Sequence, residues 1–137
     1  MIDMRISDAK GIADRILNSR KCFFSDLKPS DLQDALPVIY AIFDKNTGET
    51  LYVGRTKNLR QRLYNNHLMG PKSNARLKKY LVEDPAVPDI TTMAEAKRYL
   101  RSNCYFQYIA EPDVVRRGQI EGLLSYLLNV RYIHEEH

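Results

Sequence analysis

Apolar residues recur along this chain at two different periods, and the switches between them mark its elements. Between residues 7 and 19, Ile12, Ala13, Ile16 and Leu17 fall at helical spacing and predict an amphipathic helix. "SDLQDAL" opens on the N-capping type Ser30 and stops before Pro37, the pattern of a short capped helix. "VIYAIFD" and "ETLYVG" are rich in β-branched and aromatic residues, with "KNTG" supplying turn chemistry between them. Residues 38 to 54 therefore read as a β-hairpin. Alternation puts Val38, Tyr40 and Ile42 on one face and Ile39, Ala41 and Phe43 on the other. Thr56 is placed to cap a helix from about Lys57 to Leu68 that buries Leu59 and Leu63. "GPKSN" breaks the chain before a second basic helix, "ARLKKYL", and "EDPAVPDI" is a loop. A helix "TTMAEAKRYLRS", a strand "CYFQYIA" and a helix "DVVRRGQIEGLLSYLL" follow, the last despite Gly118 and Gly122. The expected fold is α+β: a small central antiparallel sheet, made of the hairpin 38–54 and a strand near 104–110, flanked by helices.

With 137 residues and 44% hydrophobic content, the chain has the size of one domain that can bury a core without staples. Cys22 and Cys104 lie far apart in no metal-like or redox-like spacing, so they read as reduced, buried small residues in a reducing compartment. The N-terminal stretch carries acids and lacks a continuous apolar region, and no segment approaches the roughly 18 apolar residues of a membrane span. A soluble, cytoplasmic protein with no membrane partner is expected.

Charge changes the picture when its position is considered. Residues 55 to 80 contain Arg55, Lys57, Arg60, Arg62, Lys72, Arg76, Lys78 and Lys79 and no acid, a window of +8 in a chain of net charge +4. The rest of the chain is therefore acidic overall, and a polyanion is the natural partner for the basic stretch. The alternative, a helix surface that is merely basic, ordinarily intersperses both signs. Phosphate binding by such a patch depends strongly on salt.

The last helix holds a second detail. At 100° per residue, Ile120, Leu123, Leu124, Leu127 and Leu128 define an apolar stripe, and Glu121 falls on its margin one turn after Arg117. A carboxylate there is either a snorkelling surface group or a ligand at the floor of a cleft, and geometry alone favours the former.

"VIYAI" followed by "LYVGRTKNLRQRL", with eleven residues between Tyr40 and Tyr52, resembles the GIY-YIG nuclease family, whose two tripeptides place those tyrosines on adjacent antiparallel strands. The likeness continues with Arg62, ten residues after the second tyrosine, and with Glu121 in a late amphipathic helix. It spans about residues 37 to 132, leaving residues 1–36 as an N-terminal helical extension packed on a nuclease-like domain of residues 37–137. Val38 stands where the family has its first glycine and Val53 where it has isoleucine. The family often has His or Tyr four residues after the arginine; here that residue is Asn66, and His67 follows one position later, about 100° further round an α-helix. The family's late asparagine has no counterpart after Tyr132, and His134 reads as surface tail.

The resemblance implies a metal-dependent DNA endonuclease, with a catalytically inactive nucleic-acid-binding module of the same fold as the alternative. Tyr40 would accept a proton from the attacking water, with Tyr52 orienting it or exchanging that role. Arg62 would pair with the scissile phosphate, and Glu121 would hold one Mg²⁺ or Mn²⁺ completed by phosphate oxygen and water. A phenol serves as base only if neighbouring charge lowers its pKa, and Arg55 and Lys57 after the second strand, with Arg62 on the next helix, supply that charge. Gly54 would let the backbone approach the substrate. Arg55, Lys57, His67, Lys72, Arg76, Lys78, Lys79 and Arg117 are the expected DNA contacts. The substrate would be duplex or branched DNA, with a dimer on DNA one option. No zinc-ligand cluster, helix-turn-helix or further domain for base readout is visible.

Overall fold

A computed structural model gives the fold of residues 1–134. Four strands, β1 (Cys22–Phe23), β2 (Val38–Asp44), β3 (Thr50–Thr56) and β4 (Cys104–Ala110), form one antiparallel sheet in the order β1-β4-β2-β3. Strand β2 is central, and every one of its residues is buried, which is why its sequence is a continuous apolar run rather than an alternating one. The fold is α+β, as the hydrophobic periods predict.

The two faces of β2 anchor two cores. Val38, Tyr40 and Ile42 join Leu59, Leu63, Leu68, Leu77, Leu81 and Leu100 on one side. Ile39, Ala41 and Phe43 join Ile12, Ile16, Ile120 and Leu124 on the other. Helices α2 (Arg76–Glu83) and α3 (Met93–Asn103) lie over the first face, and α1 (Ile2–Leu17) and α4 (Val114–Leu127) over the second. Helix α3 starts at a capping box between Thr92 and Glu95, and α4 at Asp113, whose carboxylate accepts from Arg116 N–H at 2.9 Å. Residues 1–36 supply both α1 and the edge strand β1, whose two residues pair with Phe106 and Tyr105. So short a strand has no periodicity to read. No helix among the described residues is long and apolar enough to cross a membrane.

Three local expectations are corrected. The segment from Ser30 forms only a 3₁₀ turn, Pro29–Asp31, because Asp31 turns back to accept from Lys28 N–H and Leu32 leaves the turn in extended conformation to reach the core. Asn58, rather than Thr56, caps the helical segment after β3: its side-chain oxygen accepts from Gln61 N–H at 3.2 Å, while Thr56 binds Asn58 N–H. That segment is also wound more widely than an α-helix. Gln61–Leu68 is a π-helix, and at its end Met69 N–H donates to the Tyr64 carbonyl five residues back. The winding buries Leu63, His67 and Leu68 together.

Lys78 closes that π-helix. Its ammonium donates to the carbonyls of Leu68 at 2.7 Å and Gly70 at 3.0 Å, satisfying acceptors that a helix end leaves open. Burial pushes its pKa down to about 8, so it remains charged at neutral pH. Beyond α4, Asn129 adopts a left-handed φ of 52° and turns the chain back along β3. Arg131 N–H and Tyr132 N–H then donate to the carbonyls of Thr50 and Leu51, so this stretch covers part of the β3 edge.

Candidate active site

The cross-strand register places Tyr40 opposite Gly54 and Ile42 opposite Tyr52, which puts both tyrosines on the same face of the hairpin. Tyr40 is 1% exposed and lies directly over Gly54. A Cβ at Gly54 would collide with the Tyr40 ring carbon Cζ and hydroxyl. The glycine therefore makes room for the tyrosine, which corrects the expectation that it admits the substrate. Arg55, one residue on, points to the other face and reaches α4. There Gly118 leaves space for its guanidinium, and Glu121 lies 3.8 Å from its Nε.

Tyr40, Tyr52, Arg62, Arg76 and Glu121 line one cleft of about 750 Å³ whose floor is the end of β3. Its walls come from opposite faces of the sheet: the π-helix and α2, joined by Tyr132, on one side, and α4 with residues 128–130 on the other. Four groups expected from the sequence to act together, Tyr40, Tyr52, Arg62 and Glu121, are thus brought together. Lys57, Lys72 and Lys79 are exposed outside this lining, with Lys72 paired to Glu83 at 3.3 Å.

Three expected DNA contacts point inward. His67 is fully buried, Lys78 caps the π-helix, and Arg117 donates to the carbonyls of Glu111 and Pro112 at 3.0 and 2.9 Å. Arg117 therefore braces the turn before α4 instead of pairing with Glu121. Leu127, expected in the buried stripe, is 46% exposed, because α4 ends there and the chain turns away. His134, expected as surface tail, lines the cleft.

His67 stands behind the tyrosines. Its Nε2 is 2.7 Å from Tyr40 Oη, a hydrogen bond whose donor depends on the imidazole tautomer, and its ring meets both phenol rings edge-on. Its Nδ1 is buried without a hydrogen-bond partner. On an α-helix, a residue five after Arg62 would lie about 140° away from it. The wider winding of Gln61–Leu68 reduces that offset, so His67 and Arg62 share one side of the segment.

The electrostatics single out two arginines. Arg62 and Arg76 are the cations whose charge acts on all four of Tyr40, Tyr52, His67 and Glu121. Arg76, expected only as a surface contact of a basic helix, is thus part of the site. The signal in the sequence was weak, since Arg76 sits among other cations at the start of α2. Of Arg55, Lys57 and Arg62, expected to tune the phenols, Arg62 acts on both and the other two do not face them. Burial raises Tyr40 well above the ordinary phenol pKa, and it also raises Tyr52 against the pull of Arg76 and Arg62. Both tyrosines are neutral phenols at pH 7. Burial likewise raises the Glu121 carboxyl, with Arg55 the strongest opposing charge.

Burial, helped by Arg62, Arg76 and Lys78, pushes His67 down to about 3. The folded imidazole refuses a proton that the unfolded one accepts near pH 6.5, so acid favours the unfolded chain. This contribution is fully present above about pH 6.5 and is lost as the pH falls toward 3, on the order of 2 kcal/mol by pH 5. Urea midpoints at pH 7.5 and 5.0 should show that loss in the natural chain. His67→Gln, which keeps a hydrogen-bonding side chain but cannot titrate, should show a decline smaller by about that amount. Equal declines in both chains would remove His67 as the source.

Among the described residues Glu121 is the acidic side chain of the cleft, and no group of three or more His, Cys, Asp and Glu side chains could hold a metal ion. A half-buried carboxylate facing open cleft volume fits a hard divalent cation of the kind that keeps most of its water and takes further oxygens from a phosphate. Residues 36–101 match the family model described as the GIY-YIG catalytic domain. No curated protein matches the chain, and no solved structure does.

Proposed function

Because the chain belongs to the GIY-YIG family, a family of nucleases acting on nucleic acid, we propose that it is an endonuclease that hydrolyses DNA phosphodiester bonds with one divalent cation, Mg²⁺ or Mn²⁺. The observation that carries this reading is the convergence of two strand tyrosines, two arginines and one carboxylate on a single cleft.

Each group has a role that its position supports. Arg62 and Arg76 bind the scissile phosphate and offset the charge that builds on it during displacement. Tyr40 takes the proton of the attacking water. It can do so only as the phenolate, the form that Arg62 and Arg76 favour against burial, with neutral His67 donating from Nε2 to the oxygen at 2.7 Å. This requires the tautomer with the proton on Nε2, which leaves the other lone pairs of Tyr40 Oη directed to the cleft. Tyr52, next to Arg76, orients the water. Glu121 would hold the cation, which when bound supplies Lewis-acid polarisation of the phosphate. Arg55 keeps Glu121 oriented across the gap that Gly118 leaves.

Incubating the purified protein with supercoiled, linear, branched and single-stranded DNA in Mg²⁺, Mn²⁺ or EDTA tests the proposal. Cleavage that needs the cation is expected on at least one form. Binding without cleavage of any form would favour the inactive binding module.

A further inference from the structure

The two walls of the cleft differ in kind. On the π-helix and α2 side, the lining side chains are the cations Arg62 and Arg76. On the other side, beyond Glu121 and its partner Arg55, the lining runs through Gly122, Ser125, Tyr126, Asn129 and Val130 to Ile133 and His134, while Tyr132 turns to the α2 side and stacks on Tyr80. Tyr126 is 84% exposed and Ile133 66%, so neither ring nor side chain serves the core. Arg131, the cation nearest to them in sequence, is not in the lining. Its guanidinium is held by Glu49 at 3.3 Å and Asp84 at 2.8 Å.

A duplex carries phosphates along both of its edges and conceals the faces of its bases. A single strand has one phosphate edge and exposes base faces that stack on aromatic side chains. A cleft with Arg62 and Arg76 on one wall and, past Arg55 and Glu121, an exposed tyrosine among small, aliphatic and uncharged polar residues and His134 on the other complements the second pattern. Its volume of about 750 Å³ is that of a site for one small ligand. One or two nucleotides fit within it.

Building on the nuclease reading, we infer that the preferred substrate is an unpaired DNA strand, such as an overhang or flap, with Tyr126 stacking on a base beside the scissile phosphate. Tyr126 is then a specificity-determining residue. It does not touch the reacting atoms. It holds the base so that the neighbouring phosphate meets Arg62 and Arg76. The backbone supports this placement, because the turn at Asn129 and the pinning of residues 131 and 132 on β3 fix the end of that wall.

The test is binding in EDTA, which is independent of cutting. Fluorescence anisotropy would compare a labelled 15-nucleotide mixed-sequence strand with the same sequence as a blunt duplex. The single strand is expected to bind at least about tenfold more tightly. Tyr126→Ala should cut that preference about tenfold, the loss of one stacking contact worth about 1.4 kcal/mol, and Tyr126→Phe should retain it. A duplex bound as tightly as the strand, or a preference unchanged in Tyr126→Ala, would overturn the inference. If no DNA is cut in Mg²⁺ or Mn²⁺, the nuclease reading fails while the anisotropy result still decides the question of the strand.

Discussion

Glu121→Gln should abolish cation-dependent cleavage, with a fall of about 10³-fold or more, while the chain folds normally. The substitution keeps the shape and hydrogen-bonding capacity of the side chain and removes the charge that a hard cation requires. Little stability is at stake. The pair with Arg55 is 3.8 Å long between side chains that are 50% and 33% exposed, and such pairs contribute well under about 1 kcal/mol. Matched thermal melts and plasmid-cleavage rates would separate the two effects. Wild-type cleavage by Glu121→Gln would remove the carboxylate from the chemistry.

Tyr40→Phe should lower cleavage by about 10²-fold or more, since it deletes the oxygen that meets water on one side and His67 on the other. Unlike Glu121→Gln, it should also cost stability. His67 Nδ1 already lacks a partner, and losing Tyr40 Oη would leave the whole buried imidazole without one. A cost of about 1 to 3 kcal/mol follows from burying a polar atom in that state. Tyr52→Phe is the control. It removes a hydroxyl that meets Arg76 and makes no hydrogen bond to His67, and should weaken cleavage less. The reverse ranking of the two variants would make Tyr52 the base.

The parts of this site that were legible in the sequence are those set locally. A hairpin fixes the facing of Tyr40 and Tyr52 because strand alternation and a short turn decide it within twenty residues. Glu121 could be placed on the margin of a helix from its angle alone. The depth of a charged side chain could not. Lys78 and Arg117 read as surface cations, and both are buried because backbone carbonyls brought in by the π-helix end and by the turn at Glu111 and Pro112 receive them. The same limit hid the role of Arg76, since eight cations in one window look alike until the fold sorts them. Strand β1 was invisible because two residues pair only where the edge of β4 is presented to them.

A motif written as a string of letters at fixed intervals assumes that the chain always advances by the same angle per residue. Between Arg62 and His67 this chain does not. A ruler cut for an α-helix lands on Asn66, and the imidazole beside the phenol then looks misplaced by one letter. Measured in space, with the looser coil taken into account, the imidazole lies on the Arg62 side of the segment and 2.7 Å from Tyr40 Oη. For chains like this one, the distance between side chains that must meet is a better guide than the number of residues that separates them.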